Sequence, residues 1–417
     1  MNAVKGNIVH AEKFGELTIV EGGYVVYDDQ GIQGVYKQLP NDLSSIYVED
    51  YHDALIIPSF SDMHLHAPQY AMLGMGMDLP LMDWLNTYAF PTEAHFKNID
   101  EARKIYADLA LNLVKNGTTR VAMFSSMHVD STLVLMEELE KQGITGYVGK
   151  VNMDRNGGVD LQETTEESIN ETKRWLKESE RFKNIKPILT PRFTPSCSDE
   201  LMTELGKLAK EYDLPIQSHL SENEKEIAFV KSLHPDCEEY WETYAKFGLW
   251  NAHTLMAHCV HSSDRELDAI KEAGAYVVYC PSSNENILSG YARVRHMIDR
   301  GVKVVLGSDI AGGDHLSMFD NLTAAIRSSK ARQMFDGVSR FLTVEEAFYL
   351  ATSASNEFFG ERPGFARGNA FHAIVLRDDK LPHIRELTIK ERFERAMYHR
   401  QDDAIVSVYS DNKKILG

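Results

Sequence analysis

The middle of the chain repeats one pattern: a helix whose apolar residues lie three or four apart, then a glycine, then an apolar run rich in β-branched residues. Leu201, Leu205 and Leu208 show the helical spacing, and Gly301 followed by residues 302–306 shows the rest of the unit. A glycine just past a helix end supplies the left-handed conformation that terminates the helix. Runs that are apolar throughout predict parallel strands covered on both faces.

We count eight such runs, which end near His66, Ser125, Asn152, Arg192, His219, His258, Pro281 and Asp309. Eight strand–helix units predict an α/β fold with a (β/α)8 TIM-like barrel as the catalytic domain, over residues 58–365. A doubly wound open sheet is the structural alternative. In a barrel, active residues cluster at the carboxyl ends of the strands, so the polar residues at those ends become the candidates for function.

The two ends of the chain carry a different pattern, in which short alternating strands are separated by turn residues. Gly22-Gly23 lies between two strand-like runs, 17–20 and 24–27, and residues 404–409 are again strand-like. This pattern predicts a small β-sandwich domain formed jointly by residues 1–57 and 366–417.

Composition and charge narrow the classes of function. The chain has 417 residues and a formal net charge of -18, with no run of basic residues. We therefore expect neither nucleic acid nor an anionic membrane as a partner. No apolar run approaches the ~20 residues of a membrane span, and the first residues do not resemble a secretory signal. The four cysteines contain no CxxC pair, which argues against a disulfide framework and favours a cytoplasmic protein.

The first barrel strand ends in the triplet His64-Leu65-His66. Side chains two residues apart on a strand point to the same face, so these two imidazoles form a possible two-nitrogen clamp for a metal ion. Two ordinary polar residues at a strand end are the alternative. The triplet alone does not decide between the two interpretations.

Three further candidates, His219, His258 and Asp309, end later strands. Each has a structural alternative, because either histidine could be a hydrogen-bonded core residue and Asp309 could be a turn or capping residue. Several histidines and one aspartate at strand ends of the same barrel nevertheless favour a metal. Nitrogen ligands with one carboxylate suit zinc, iron or another first-row divalent ion. Such an ion lowers the pKa of a bound water from ~16 towards ~7.

Glu222 lies three residues after His219, where it could take a proton from that water and return it to a leaving group. The alternative is a solvated residue, because the run 222–226 resembles the polar start of a helix.

Longer segments resemble the amidohydrolase superfamily and, within it, the enzymes that deaminate guanine. The matching segments are 58–70, 78–85, 190–193, 217–223, 256–258, 280–284 and 306–313. The histidine triplet and the late aspartate are shared by many members of the superfamily. The Ala-Pro-Gln-Tyr, Asp-Leu-Pro-Leu and Pro-Arg-Phe segments are what point to guanine.

The resemblance implies a zinc cofactor, one ion per subunit with iron as an alternative, held by His64, His66, His219 and Asp309. It implies Glu222 as the proton shuttle and His258 as a neighbour of the attacking water, with Asp309 assisting as a base. Relatives with two metals use a bridging lysine on the fourth strand. Here that strand ends in Arg192, which favours one metal.

The implied reaction is hydrolysis of guanine to xanthine and ammonia. Arg192 offers a fork of donors to the guanine acceptors O6 and N7, and Gln69 offers both a donor and an acceptor. Trp84 and Phe193 could wall the planar ring, or equally belong to the core. The loop 72–77 could be an apolar lid, although a packed loop is slightly favoured.

Two other functions stay open from the sequence. The nearest is deamination of another purine, a pterin or a triazine by a member of the same superfamily. A non-catalytic barrel that serves as a scaffold belongs to a different class. The expected partner is a small-molecule purine substrate. By analogy with relatives, we also expect the protein to form a homodimer.

Overall fold

The computed structural model describes residues 1–158 and 160–417. Across those residues the strands, in chain order, are β1 (Asn2–Lys13), β2 (Glu16–Asp28), β3 (Gly31–Tyr36), β4 (Tyr47–Pro58), β5 (Phe60–His66), β6 (Thr118–Phe124), β7 (Thr145–Gly149), β8 (Val151–Asn152), β9 (Ile185–Pro187), β10 (Thr190–Pro191), β11 (Ile216–Leu220), β12 (Thr254–His258), β13 (Tyr276–Tyr279), β14 (Lys303–Leu306), β15 (Ala373–Leu376), β16 (Ile405–Ser410) and β17 (Lys413–Leu416).

The α-helices of the same residues are α1 (Leu81–Trp84), α2 (Phe90–Ala94), α3 (Ile99–Lys115), α4 (Val129–Lys141), α5 (Thr165–Ser179), α6 (Asp199–Tyr212), α7 (Glu224–Leu233), α8 (Glu242–Ala245), α9 (Asp264–Ala273), α10 (Pro281–Asn286), α11 (Val294–Asp299), α12 (Met318–Asp336), α13 (Val344–Ala351) and α14 (Ile389–Tyr398). Local sequence explains their ends. For example, the Ser263 side chain caps α9, and Gly274 ends it at a φ of 73°. None of these helices combines the length and apolarity needed to cross a bilayer.

The apolar strands of the middle region pair in chain order. Two parallel four-stranded groups, β5-β6-β7-β9 and β11-β12-β13-β14, form the wall. A bridge from Leu189 to Ile216 links the groups on one side. On the other side the Asp309 N–H donates to the His64 carbonyl at 2.8 Å. A doubly wound sheet would reverse its strand order at a switch point, so this sequential order excludes it. The fold is of TIM-barrel type, as predicted.

Strands from both ends of the chain form a separate seven-stranded sheet in the order β17-β16-β15-β4-β1-β2-β3. Successive residues of β4 face opposite ways: Leu55 and Ile57 join the large barrel-side core, whereas Ala54 and Ile56 join a second core with Phe371. The sheet therefore packs on the barrel with one face and has its own core on the other. The combination of both chain ends in one small β unit is as predicted, and the boundaries at 57/58 and 365/366 stay a prediction.

The small unit leads directly into the first barrel strand. Only Ser59 separates the end of β4 from the start of β5, and its N–H donates to the His372 carbonyl at 3.2 Å. Beside this junction Ala373 of β15 pairs with Pro58 of β4. The strand that ends in the histidine triplet is thus anchored at its other end to the terminal sheet.

Candidate active site

The barrel brings the four predicted metal ligands together at the carboxyl ends of its strands. His64 and His66 lie on β5, His219 lies on β11, and Asp309 follows β14. The His64 Nε2 and Asp309 Oδ1 atoms are 3.2 Å apart, and the Nε2 atoms of His66 and His219 are also 3.2 Å apart. Candidate ligand atoms of the three histidines all lie within 4.8 Å of one another.

Two nitrogen atoms of this cluster lack a hydrogen-bond partner in the part of the chain that the structure describes. His64 Nε2 and His66 Nδ1 are buried and have no hydrogen-bond partner among the described residues. Buried polar groups in proteins nearly always have a partner, so such atoms call for an explanation. A cation between the histidines and Asp309 would satisfy His64 Nε2.

The ionisation of the cluster also fits a divalent ion. Burial lowers the pKa of His66 and of His219 well below the usual range, so both imidazoles are neutral, as metal ligands must be. Burial acts against ionisation of Asp309, but His64, His258 and His66 together outweigh it and hold the pKa of this carboxyl well below its usual range. Neutral nitrogen donors with one carboxylate are a suitable set for a first-row divalent ion.

Two backbone positions at the cluster are strained. His258 has a φ of 74° and Asp309 a φ of 49°, in the left-handed region that residues with a Cβ rarely adopt. At both positions the chain turns sharply where it leaves the strand. Conformations of this kind cost roughly 1–3 kcal/mol each and concentrate at functional sites.

Hydrogen bonds behind the cluster fix the imidazole orientations. The His219 Nδ1 atom donates to the Arg192 carbonyl at 2.7 Å, and the His258 Nδ1 atom donates to Asn284 Oδ1 at 2.9 Å. Each ring therefore turns its Nε2 atom into the site. His258 Nε2 lies 3.5 Å from Glu222 Oε2 and 3.7 Å from Asp309 Oδ2. The sequence did not single out Asn284 for this role, although it lies in the matching segment 280–284.

Glu222 is buried and precedes α7, so it is not the solvated helix start that the sequence left open. The Ser289 hydroxyl donates to Glu222 Oε1 at 3.0 Å, and the Glu222 N–H donates to Glu226 Oε2 at 3.0 Å. Burial raises the pKa of Glu222 to about 7. This carboxyl can therefore both take up and release a proton near neutral pH.

A cleft of about 400 Å³ opens over the cluster. Its walls include all four predicted substrate-contacting residues, namely Gln69, Trp84, Arg192 and Phe193, together with the apolar Leu81, Leu85 and Ile287. Trp84 Nε1 donates to the Met75 carbonyl at 3.0 Å, which ties the loop 72–77 to the cleft wall and favours a packed loop.

The sequence missed Glu93, which lies on α2 and is buried. It accepts hydrogen bonds from Arg192 and from Gln69, two polar side chains of the cleft wall. Arg192 and Glu93 are 99 positions apart in the chain. Helix α2 has only five residues, and no periodicity in it signals that Glu93 faces a site.

Comparison with known proteins agrees with this geometry. The amidohydrolase family model matches residues 55–395. A guanine deaminase from Dictyostelium discoideum is 36% identical, over 99% of this chain and 97% of that protein. A guanine deaminase from Escherichia coli K12 is 34% identical, over 82% of this chain and 76% of that protein.

Among solved structures, the guanine deaminase from C. acetobutylicum with guanine bound in its active site is similar along its whole length. It is 44% identical, with a TM-score of 0.97 and coverage of 100% of both chains. The chain therefore belongs to the amidohydrolase family and, within it, to the guanine deaminases.

Proposed function

We propose that the protein hydrolyses guanine to xanthine and ammonia and that it uses one zinc ion per subunit. The observation that carries the proposal is a single cleft that combines a buried histidine–aspartate cluster, a carboxyl with a pKa of about 7, and the donors of Arg192 and Gln69. The guanine deaminases among the relatives, one of them solved with bound guanine, support the same reaction.

The metal would be held by nitrogen atoms of His64, His66 and His219 and by the Asp309 carboxylate. When bound, the ion polarises a water molecule and lowers its pKa towards neutrality. Zinc fits three imidazoles and a carboxylate with room for water, and iron is the alternative that metal analysis would detect.

Glu222 is the proton shuttle in this proposal. As an oxygen nucleophile adds to C2 of guanine, the Glu222 carboxylate takes its proton and passes it to ring N3. Glu222 then carries the proton of the new C2 hydroxyl to the C2 amine, the C–N bond breaks as the C2 carbonyl forms, and ammonia leaves, so that guanine and water become xanthine and ammonia. His258 Nε2, between Glu222 and Asp309, stabilises the adding oxygen, and Asp309 assists as a base.

Recognition of the ring is assigned to the remaining walls of the cleft. Arg192 donates to O6 and N7, and Gln69 contributes a further hydrogen bond. Trp84 and Phe193 cover the ring surface, together with the apolar side chains beside them. This arrangement would leave the amine-bearing carbon towards Glu222 and the histidine cluster.

Ammonia release from guanine tests the proposal directly. We expect kcat/KM of the purified protein for guanine to exceed that for adenine, cytosine, a pterin or a triazine by at least about tenfold. This ratio corresponds to a difference of about 1.4 kcal/mol or more in transition-state free energy. A strong chelator should abolish the activity, and added zinc should restore it together with about one bound metal per chain. Preferred turnover of another ring would sink the guanine assignment. Absence of both metal and metal-dependent activity would favour the non-catalytic scaffold.

Replacement of Glu222 by Gln tests the shuttle. We expect kcat to fall by about 10²–10⁴, because the amide cannot carry the proton. Zinc content and guanine binding, measured by metal analysis and calorimetry, should stay near wild type. Glu224→Gln is the matched control, since Glu224 is exposed at the start of α7 and should keep full activity. Near-normal turnover by Glu222→Gln would remove this residue from the role.

We also infer that the protein is a homodimer. An apolar patch at the end of α12 supports association, because Met334, Phe335 and Val338 are 81%, 79% and 85% exposed. Sedimentation velocity should give twice the subunit mass for wild type and a smaller species for Phe335→Asp. Tyr47→Asp, at a residue that is 67% exposed on β4, is the control and should stay dimeric. A monomeric wild type would contradict the inference.

A cytoplasmic location is the remaining part of the proposal. All four cysteines are buried free thiols, which is typical of a reducing compartment. Cell fractionation should recover the protein with cytoplasmic markers, and recovery with a secreted fraction would overturn this assignment.

A further inference from the structure

Glu93 hydrogen-bonds to both Arg192 and Gln69, the two side chains to which the proposed function assigns the hydrogen bonds with guanine. The Glu93 Oε2 atom accepts from Arg192 Nη1, and the Glu93 Oε1 atom accepts from Arg192 Nη2 at 3.0 Å. The Oε1 atom also accepts from Gln69 Nε2 at 2.8 Å. Glu93 is 1% exposed and Arg192 is 3% exposed, so this is a buried, two-pronged ion pair.

The contacts of Gln69 settle which way its amide points. Its Oε1 atom accepts from the Ala311 N–H at 3.0 Å, while its Nε2 atom donates to Glu93. A backbone N–H can only donate and a carboxylate can only accept, so the reverse orientation of the amide would lose both bonds. Glu93 and the Ala311 N–H together therefore fix the orientation of the Gln69 amide in the cleft wall.

The guanidinium plane of Arg192 is fixed by the same short helix. Phe90 lies against it, with the Arg192 Cζ atom 4.9 Å from the ring centroid, and Phe90 and Glu93 are both on α2. The ring holds one face of the guanidinium, and the carboxylate occupies its far end. Of the five N–H donors of arginine, those not engaged by Glu93 remain for a ligand.

We infer that Glu93 is a positioning residue that makes the cleft select a neutral oxopurine and reject an anionic one. The inference rests on the proposed function. Arg192 and Glu93 carry opposite charges and are both buried, so the pair offers N–H donors without a net positive charge. Guanine is neutral near pH 7 and has acceptors at O6 and N7. Xanthine is a stronger acid that loses a ring proton near neutral pH, so the neutralised Arg192 gives its anion no extra attraction.

This selection favours release of the product. An unpaired buried arginine would attract the xanthine anion strongly, because opposite charges interact far more strongly in a buried site than in water. The other charged or titratable groups that face the cleft are His66, His219, Glu222, His258 and Asp309, together with the metal ion of the proposed function. They are the same in a Glu93 variant, so a comparison with wild type isolates the effect of Glu93.

Two substitutions separate geometry from charge. Glu93→Gln removes the charge that balances Arg192 and weakens the hydrogen bonds that hold Arg192 and the Gln69 amide. We expect its KM for guanine to rise about tenfold with a smaller change in kcat, because positioning in the bound state is lost. Its affinity for xanthine, relative to wild type, should increase about tenfold at a pH above the ionisation of xanthine and by less below it. Glu93→Asp keeps the charge but shortens the reach, so it should raise KM without strengthening xanthine binding.

The matched control is Glu361→Gln, which removes the carboxylate of another, partly buried Arg–Glu pair, Arg120–Glu361, away from the cleft. It should leave guanine KM and the pH dependence of xanthine affinity as in wild type, which separates general destabilisation from the role of Glu93. Xanthine affinity is measured by calorimetry, and thermal unfolding checks that each variant is folded. If Glu93→Gln does not fold, an unchanged KM or a stronger xanthine affinity in Glu93→Asp overturns the inference.

Two results would overturn the inference directly. The first is a Glu93→Gln protein whose xanthine affinity follows the wild-type pH profile, as a purely structural ion pair would allow. The second is equal strengthening of xanthine binding by Glu93→Gln and Glu93→Asp, because only the first of them removes the charge. The proposed function fails separately, through a wild-type protein that releases no ammonia from guanine.

Discussion

Three imidazoles and a carboxylate lie within a few ångströms of one another, all of them buried except the partly buried His219, and the rest of the site is arranged around that cluster. Unpartnered polar groups are costly in a protein interior, so the cluster is stable only if its atoms are satisfied and its rings are held in orientation. The Arg192 carbonyl holds the His219 ring, and Asn284 holds the neighbouring ring of His258. The strained backbone at His258 and Asp309 is a further cost that the surrounding barrel has to offset.

Charge is arranged differently in two parts of the cleft. Beside the histidine cluster, Asp309 is kept ionised, which suits a cation. In the other part, the Arg192 charge is balanced by Glu93, which suits an uncharged ring. Glu222 Oε2 lies 3.5 Å from His258 Nε2, and burial raises the pKa of Glu222 to about 7. A reaction that moves protons but starts from a neutral substrate fits this distribution of charge.

The sequence predicted those parts of the site that follow from strand periodicity. Each barrel strand is a local apolar run, and the carboxyl ends of such strands meet in space, so the pattern of strands alone places His66 near His219. Glu93, Asn284 and Ser289 were not identified, because each acts through a side-chain contact between distant segments. Glu93 reaches Arg192 across 99 positions and Ser289 reaches Glu222 across 67, and no repeat in the sequence encodes either contact.

The sheet pattern also predicted that the chain ends combine, but not how tightly they join the barrel. Only Ser59 separates β4 of the terminal sheet from β5, and β15 from the far end of the chain pairs with β4 at that point. The strand that carries His64 and His66 therefore starts directly at a sheet to which both ends of the chain contribute. A change in the terminal sheet would therefore act directly on the strand that carries His64 and His66, because no linker separates the two.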